Sequence, residues 1–274
     1  MISFTNFLFV PGNRADRIAK ALESGADLVC MDLEDSVPAA EKDAAREIAL
    51  DALARHATPR LALRINGLMT RAGIEDLLAL ARSASRPDVL FLPMVESARE
   101  AEQVAAVLGT DGARLVPLIE TVRGLRQADA IGAVDAVCAL MFGGGDLSAE
   151  LGVALAWEPL LAARSALVMS CATNRIAAID VPFIQLDDEA SLRTECCAAK
   201  ALGFAAKAAI HPRQIPTIAG VMRPTEAEVV EAAEAIAAFE AGGGKAIAFR
   251  GRMLEAPVMQ RYRRIVASAK TAEF

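Results

Sequence analysis

Short apolar runs alternate with longer amphipathic ones along this chain. Eight runs read as buried strands: residues 4–10, 28–32, 61–65, 89–93, 115–119, 136–142, 178–181 and 206–210. Between them, apolar positions recur at helical spacing over 39–55, 74–83, 100–108, 157–175 and 189–202. Strand followed by helix, repeated in this way, predicts an α/β chain folded as a (β/α)8 TIM barrel. An open doubly wound sheet is the competitor, but it normally has fewer strands and a glycine-rich first turn. Here the first turn reads Pro11-Gly12-Asn13-Arg14, which is no dinucleotide fingerprint.

The barrel is expected over residues 1–222, with a C-terminal helical extension over 223–274 that packs on a neighbouring subunit. Arg223-Pro224-Thr225 leads into a helix over 226–240, with Thr225 as N-cap. Gly242-Gly243-Gly244 reads as a hinge tying the extension on. A short apolar run at 246–249, a turn at Arg250-Gly251 and a last helix near 257–269 follow.

Composition supports this pattern. Hydrophobic residues make up 54% of the chain and aromatics 4%, so the apolar content is mainly aliphatic, as parallel strands buried on both faces require. The net charge of −6 argues against a nucleic-acid surface, while leaving room for a local basic patch around one phosphate. No apolar run reaches the ~18 residues of a membrane span, and the N-terminus lacks signal-peptide character. The five cysteines lack metal-ligand spacing and read as reduced thiols of a cytoplasmic protein. Two histidines, His56 and His211, make zinc a poor fit.

Barrel enzymes keep their sites at the C-terminal ends of the strands. There this sequence places Pro11-Gly12-Asn13-Arg14, Asp32-Leu33-Glu34-Asp35, Arg64-Ile65-Asn66, Glu96, Glu120-Thr121, Gly143-Gly144-Gly145-Asp146 and Lys207 through Pro212. Glu34, Asp35, Glu96, Glu120 and Asp146 outnumber Arg64 and Lys207. Crowded carboxylates repel unless a cation or protons intervene. Oxygen ligands without histidine point to a hard ion, Mg²⁺, held by Glu120 and Asp146 at the tips of adjacent strands. Arg64 is then free for a substrate carboxylate or carbonyl. Plainer roles stay open at this point. Glu120 or Asp146 could cap the helix that follows. Arg64 could pair with Asp32 or Glu34, and residues 32–35 could form a solvated turn. Lys207 could point outward and snorkel. His211 could be a structural turn residue, and Gly143 to Gly145 a flexible loop.

At these residues the chain resembles the citrate lyase β-subunit family, which includes malyl-CoA and citramalyl-CoA lyases. The resemblance runs over nearly the whole length. It covers Leu8 through Arg14, Asp32 through Pro38, Arg64-Ile65-Asn66, Leu92 through Ser97, Leu118 through Gly124, Asp146-Leu147, Leu202-Gly203-Phe204 and Ala209 through Ile215. It implies a TIM-barrel lyase that cleaves a 3-hydroxyacyl thioester by retro-Claisen or retro-aldol chemistry. Glu120 and Asp146 would bind Mg²⁺, and Arg64 would contact the substrate. Pro11, Gly12, His211 and Pro212 would wall the coenzyme A pocket, with Arg14 and Arg17 on its phosphates and Gly144 beside the substrate. Glu34, Asp35 and Glu255 join Arg64 as catalytic candidates.

Three departures from the family pattern stand out. Gly145 replaces the usual acid before the metal aspartate, Glu255 replaces an aspartate, and Ala206 replaces a glycine. The expected partner is an acyl-CoA thioester or a small keto or hydroxy acid, and the expected assembly a homotrimer or hexamer with Glu255 delivered by a neighbouring subunit. The alternatives are a citrate lyase β-subunit acting on a citryl carrier protein, a CoA- or carboxylate-binding barrel with impaired chemistry, and an aldolase for free keto acids.

Overall fold

The computed structural model describes residue 2, residues 4–109 and residues 112–271. Eight parallel strands close into a barrel in sequence order. The first half runs β1 (Asn6–Pro11), α1 (Ala15–Leu22), β2 (Leu28–Asp32), α2 (Lys42–His56), β3 (Leu61–Arg64), α3 (Arg71–Arg82), β4 (Val89–Leu92) and α4 (Ala98–Leu108). The second runs β5 (Arg114–Ile119), α5 (Val122–Gly132), β6 (Ala139–Phe142), α6 (Gly144–Leu151), α7 (Trp157–Asn174), β7 (Ala177–Asp180), α8 (Glu189–Leu202), β8 (Ala206–Ala209) and α9 (Ile215–Met222). The expected (β/α)8 barrel is the fold observed. The largest strand correction is β6, which begins at Ala139 rather than residue 136, since Val137 makes only an isolated bridge to Leu115. Gly143 to Gly145 is not a flexible loop: Gly143 is the N-cap of α6.

Successive side chains on a strand face opposite ways. In β1, Phe7 packs inside the barrel while Leu8 and Val10 pack under the helices. Inside, a few large side chains (Phe7, Phe91, Leu118, Met141) interdigitate with small ones (Cys30, Ala62, Ala206, Ala208). The Phe7 and Phe91 rings lie 4.9 Å apart, so the scarce aromatics fill the barrel interior.

The same alternation corrects one expectation. Ala206 and Ala208 face inward, so Lys207 between them faces the helix layer. It does not snorkel to solvent. It is fully buried, and Nζ donates to Asp180 Oδ2 (2.6 Å), Val181 O (2.7 Å) and Glu195 Oε1 (2.7 Å). Arg164 completes this network, with Nε 3.0 Å from Asp180 Oδ1.

The chain divides into two compact units, Met1–Met222 and Arg223–Phe274. The second contains α10 (Glu226–Ala241), the hairpin of β9 (Ile247–Phe249) and β10 (Arg252–Leu254), and α11 (Ala256–Thr271). Thr225 caps α10 as expected, in a reciprocal box with Glu228. Arg250 (φ 45°) and Gly251 (φ 75°) form the two-residue turn, both left-handed as such hairpins need. The unit has its own core of Ala232, Ala235, Phe239, Leu254, Met259 and Tyr262. The glycine run at 242–244 lies inside this unit, between α10 and β9, and so is not the hinge expected at its boundary. No helix among the described residues is long and apolar enough to cross a membrane.

Candidate active site at the barrel mouth

Inward-facing positions continue beyond the interior core to the strand tips. The two-residue period that buries Cys30, Ala62 and Leu118 brings Asp32, Arg64 and Glu120 to the mouth on the same face. The register sets Pro11 opposite Asp32 and Asp32 opposite Arg64. A cavity of about 460 Å³ opens here. Of the expected residues, Pro11, Arg17, Asp35, Arg64, Glu120 and Asp146 line it, joined by Asp32.

Arg64 is not free for substrate alone: it takes the plainer role left open above and pairs with Asp32 and Glu34. Its Nε and Nη2 donate to the two oxygens of Asp32 at 2.6 and 2.9 Å. Nη1 lies 2.9 Å from Glu34 Oε2, and Nη2 3.5 Å from Asp35. The guanidinium stacks 4.8 Å from the Phe9 ring centroid. Burial alone would lower the Arg64 pKa, but the hydrogen bonds and charges of these acids raise it, so it stays charged. Burial likewise works against the Asp32 carboxylate, yet Arg64, Ser36 and the Glu34 N–H hold it below its usual range. Of residues 32–35 only Asp35 is exposed, so the segment is not the fully solvated turn left open above. Asp32 accepts from the N–H groups of Glu34 and Ser36, and Lys42 Nζ donates to the carbonyls of Leu33 and Glu34, each at 2.7 Å.

Glu34 is less fully compensated than Asp32, and Glu120 is not compensated at all. Glu120 is only 4% exposed, and among the described residues no hydrogen bond or ion pair reaches its carboxylate. Burial, reinforced by the charges of Glu34, Asp146 and Asp35, pushes its pKa up to about 8 against the pull of Arg64. Burial also raises Glu34 to about 7, helped by Asp35, Asp32 and Asp146. Glu34 Oε2 touches the Arg64 charge but accepts no hydrogen bond. Glu120 is not a helix cap, because Thr121 caps α5 through the Gly124 N–H. Asp146 does sit in the first turn of α6, exposed, where the helix dipole favours an anion. Gly143 makes this arrangement sterically feasible: a Cβ there would stand 2.0 Å from Glu120 Cγ.

These features fit a hard cation. Desolvation, reinforced by the neighbouring acids, raises the pKa of the buried Glu120 and the half-buried Glu34, and one Glu34 oxygen accepts no hydrogen bond. Among the described residues no group of three or more His, Cys, Asp or Glu is arranged to hold an ion. A two-carboxylate site suits Mg²⁺, which keeps water or substrate oxygens in its other positions.

Other expected residues stand outside the lining. Gly12 donates its N–H to Asp32 O at 2.8 Å, and a Cβ there would meet Leu33 at 2.7 Å. Its role is close packing against the Asp32 strand end. Gly144 is buried behind the wall, where a Cβ would press on Leu155 and Phe142. Arg14 pairs with Asp16 at the surface (3.0 Å), so of the two candidate phosphate contacts Arg17 is the one at the cavity. His211 does act as a turn residue: its Nδ1 accepts from Arg213 N at 3.1 Å, and Pro212 opens the short turn it caps. Glu96 takes the Thr121 hydroxyl at 2.8 Å. Glu255 belongs to the second unit and is exposed just before α11. Sequence reasoning missed Phe9 and the special need for glycine at 143. The first has a usable signal, since Phe9 shares the inward period of Phe7.

The family described as HpcH/HpaI aldolase/citrate lyase matches residues 6–212 of the chain. The L-malyl-CoA/beta-methylmalyl-CoA lyase of Rhodobacter capsulatus is 30% identical, over 97% of this chain and 94% of that protein. RipC from Yersinia pestis is 44% identical with a TM-score of 0.74, covering 82% of this chain and 98% of that one. CitE from Mycobacterium tuberculosis, solved with magnesium, acetoacetate and coenzyme A, is 32% identical with a TM-score of 0.81, covering 97% and 98%.

Proposed function

Because the chain belongs to the HpcH/HpaI aldolase/citrate lyase family of carbon–carbon lyases, we propose that it is a Mg²⁺-dependent lyase for a 3-hydroxyacyl-CoA thioester of citryl, malyl or citramalyl type. The observation that carries this is the meeting, in one cavity, of Glu120, a buried acid that no protein group compensates, and Asp146 with an arginine anchored by Asp32. Glu120 and Asp146 would hold the ion. Bound Mg²⁺ supplies Lewis-acid polarisation of substrate oxygens and relieves the carboxylate repulsion.

In the cleavage direction the C2–C3 bond breaks. Its electrons pass to C2, giving the thioester enolate, while the C3 hydroxyl loses its proton and becomes a carbonyl. Arg64, fixed by Asp32 and Phe9, meets the charge on the substrate carboxylate and the developing carbonyl. Glu34 stands beside Arg64 rather than in the cavity lining, so with a pKa of about 7 it would exchange that proton only where the substrate reaches past the guanidinium. Arg17 at the rim suits a coenzyme phosphate. The further expectation is a homotrimer or hexamer in which a neighbouring chain's Glu255 acts as acid/base. Mixing inactive Arg64→Ala and Glu255→Gln chains and regaining activity would support it; no recovery would count against it.

The decisive assay offers malyl-, citramalyl- and citryl-CoA with and without Mg²⁺. Cleavage that needs Mg²⁺ is the expected result. Citryl-only turnover would favour a citrate lyase β-subunit. Coenzyme A binding without turnover would favour an impaired barrel, and no coenzyme A binding an aldolase for free keto acids.

A further inference from the structure

We propose that Gln214 is a positioning residue for acyl-group selection, locking the apolar side of the mouth in place from behind. The proposal rests on the lyase assignment above. On the side of the mouth from β7 to β1 the cavity is lined by Phe9, Pro11, Val181, Pro182 and Ile210. Val181, Pro182 and Ile210 sit on backbone just beyond the ends of β7 and β8, where chain is ordinarily mobile. One buried side chain ties two of the segments together. Gln214 is 3% exposed; its Oε1 accepts from Ile210 N (3.0 Å) and His211 N (3.3 Å), and its Nε2 donates to Phe183 O (2.7 Å). The end of β8 is thereby fixed to the segment after β7. Lys207 adds a second tie, to Val181 O.

Neither Gln214 nor Lys207 lines the cavity, so both act through Val181, Pro182 and Ile210. These three present no charge. The part of the acyl group that meets them is therefore an apolar substituent, such as a methyl on the carbon that bears the hydroxyl. Lys207 makes a poor test, because its removal strands Asp180 and Glu195 and puts the fold at risk. Gln214 is neutral, and Gln214→Met keeps its shape while deleting the three hydrogen bonds.

The experiment compares kcat/KM for malyl-CoA and citramalyl-CoA, which differ by one methyl at the reacting carbon, in the full chain with Mg²⁺. It also follows hydrogen exchange at the Ile210 and His211 amides. The expected result for Gln214→Met is a roughly tenfold change in the ratio of the two kcat/KM values. Exchange at both amides rises at least tenfold, while Mg²⁺ affinity is unchanged. Equal slowing of both substrates overturns the selection role and leaves Gln214 purely structural. Unchanged exchange overturns the lock itself. If Gln214→Met does not fold, Gln214→Asn keeps the amide but is one methylene too short to reach both segments; an unshifted ratio there overturns the proposal equally. Should the wild type cleave neither thioester, the lyase assignment fails, and exchange alone judges the lock.

Discussion

The two sides of the barrel mouth are built on opposite plans. From β2 to β6 the strand tips carry Asp32, Glu34, Asp35, Arg64, Glu120 and Asp146, in direct contact or within each other's field. From β7 round to β1 the lining is Val181, Pro182, Ile210, Phe9 and Pro11, with Arg17 of α1 beyond them, and the other polar groups stand behind it. On the first side polar chemistry faces the ligand and a greasy ring, Phe9, supports it. On the second an apolar face meets the ligand, and buried hydrogen bonds support that. One side is arranged for charge, the other for shape.

Breaking the charged side at its anchor should have the largest effect. Arg64→Ala removes the partner of Asp32 and Glu34 together. We expect kcat to fall by about 10²–10³ or more. Stability should also fall, by about 3–5 kcal/mol, because Asp32 is left buried without its pair. An active, fully stable variant would show the cluster to be ornamental. Asp146→Asn should come next. Calorimetry should show Mg²⁺ affinity reduced by roughly tenfold or more while the fold persists, since Asp146 is exposed. Unchanged affinity would remove it from the metal site.

Proton linkage should be intermediate. Glu120 (about 8) and Glu34 (about 7) titrate above the ordinary carboxylate value of 4.5 in the metal-free fold. The folded state therefore binds more protons than the unfolded chain between about pH 4.5 and 8. Metal-free stability should fall as pH rises through that window, and Mg²⁺ should bind more tightly with release of protons. Titrations in buffers of different ionisation enthalpy check this; no proton release at pH 7 would contradict it. Gly145→Glu should have the smallest effect. A Cβ there meets nothing within 4 Å, and an acid at this first-turn position suits the helix dipole. The melting temperature should hold or rise slightly, by the equivalent of about 0.3–1 kcal/mol; a marked loss would mean that glycine is required there.

Much of the charged side was legible in the sequence, because its residues follow directly on apolar runs whose period fixes which side chains face inward. Glu120 and Arg64 emerge from that rule, while Asp146 is found only by its place in the first helical turn after β6. The engagement of Arg64 was harder to read: Asp32 is 32 positions away and only the β2–β3 register makes them neighbours. The same holds for Lys207, whose partner Asp180 lies 27 positions earlier on the adjacent strand. The apolar side left no chemical signature at all. Val181 and Ile210 look like any core residues, and Gln214 looks like a surface amide until Phe183 O is seen beside it. Small errors at strand ends, as at residues 136–138, arise because an apolar loop that crosses onto the barrel resembles the strand it feeds.

The central claim is that Glu120 and Asp146 hold the metal with substrate on Arg64. A crystal grown with Mn²⁺ in place of Mg²⁺ and soaked in oxaloacetate tests it most directly. The prediction is an anomalous peak within about 2.0–2.3 Å of both carboxylates, with the keto acid bridging the ion and the Arg64 guanidinium. A peak elsewhere, or none with oxaloacetate bound, would contradict it.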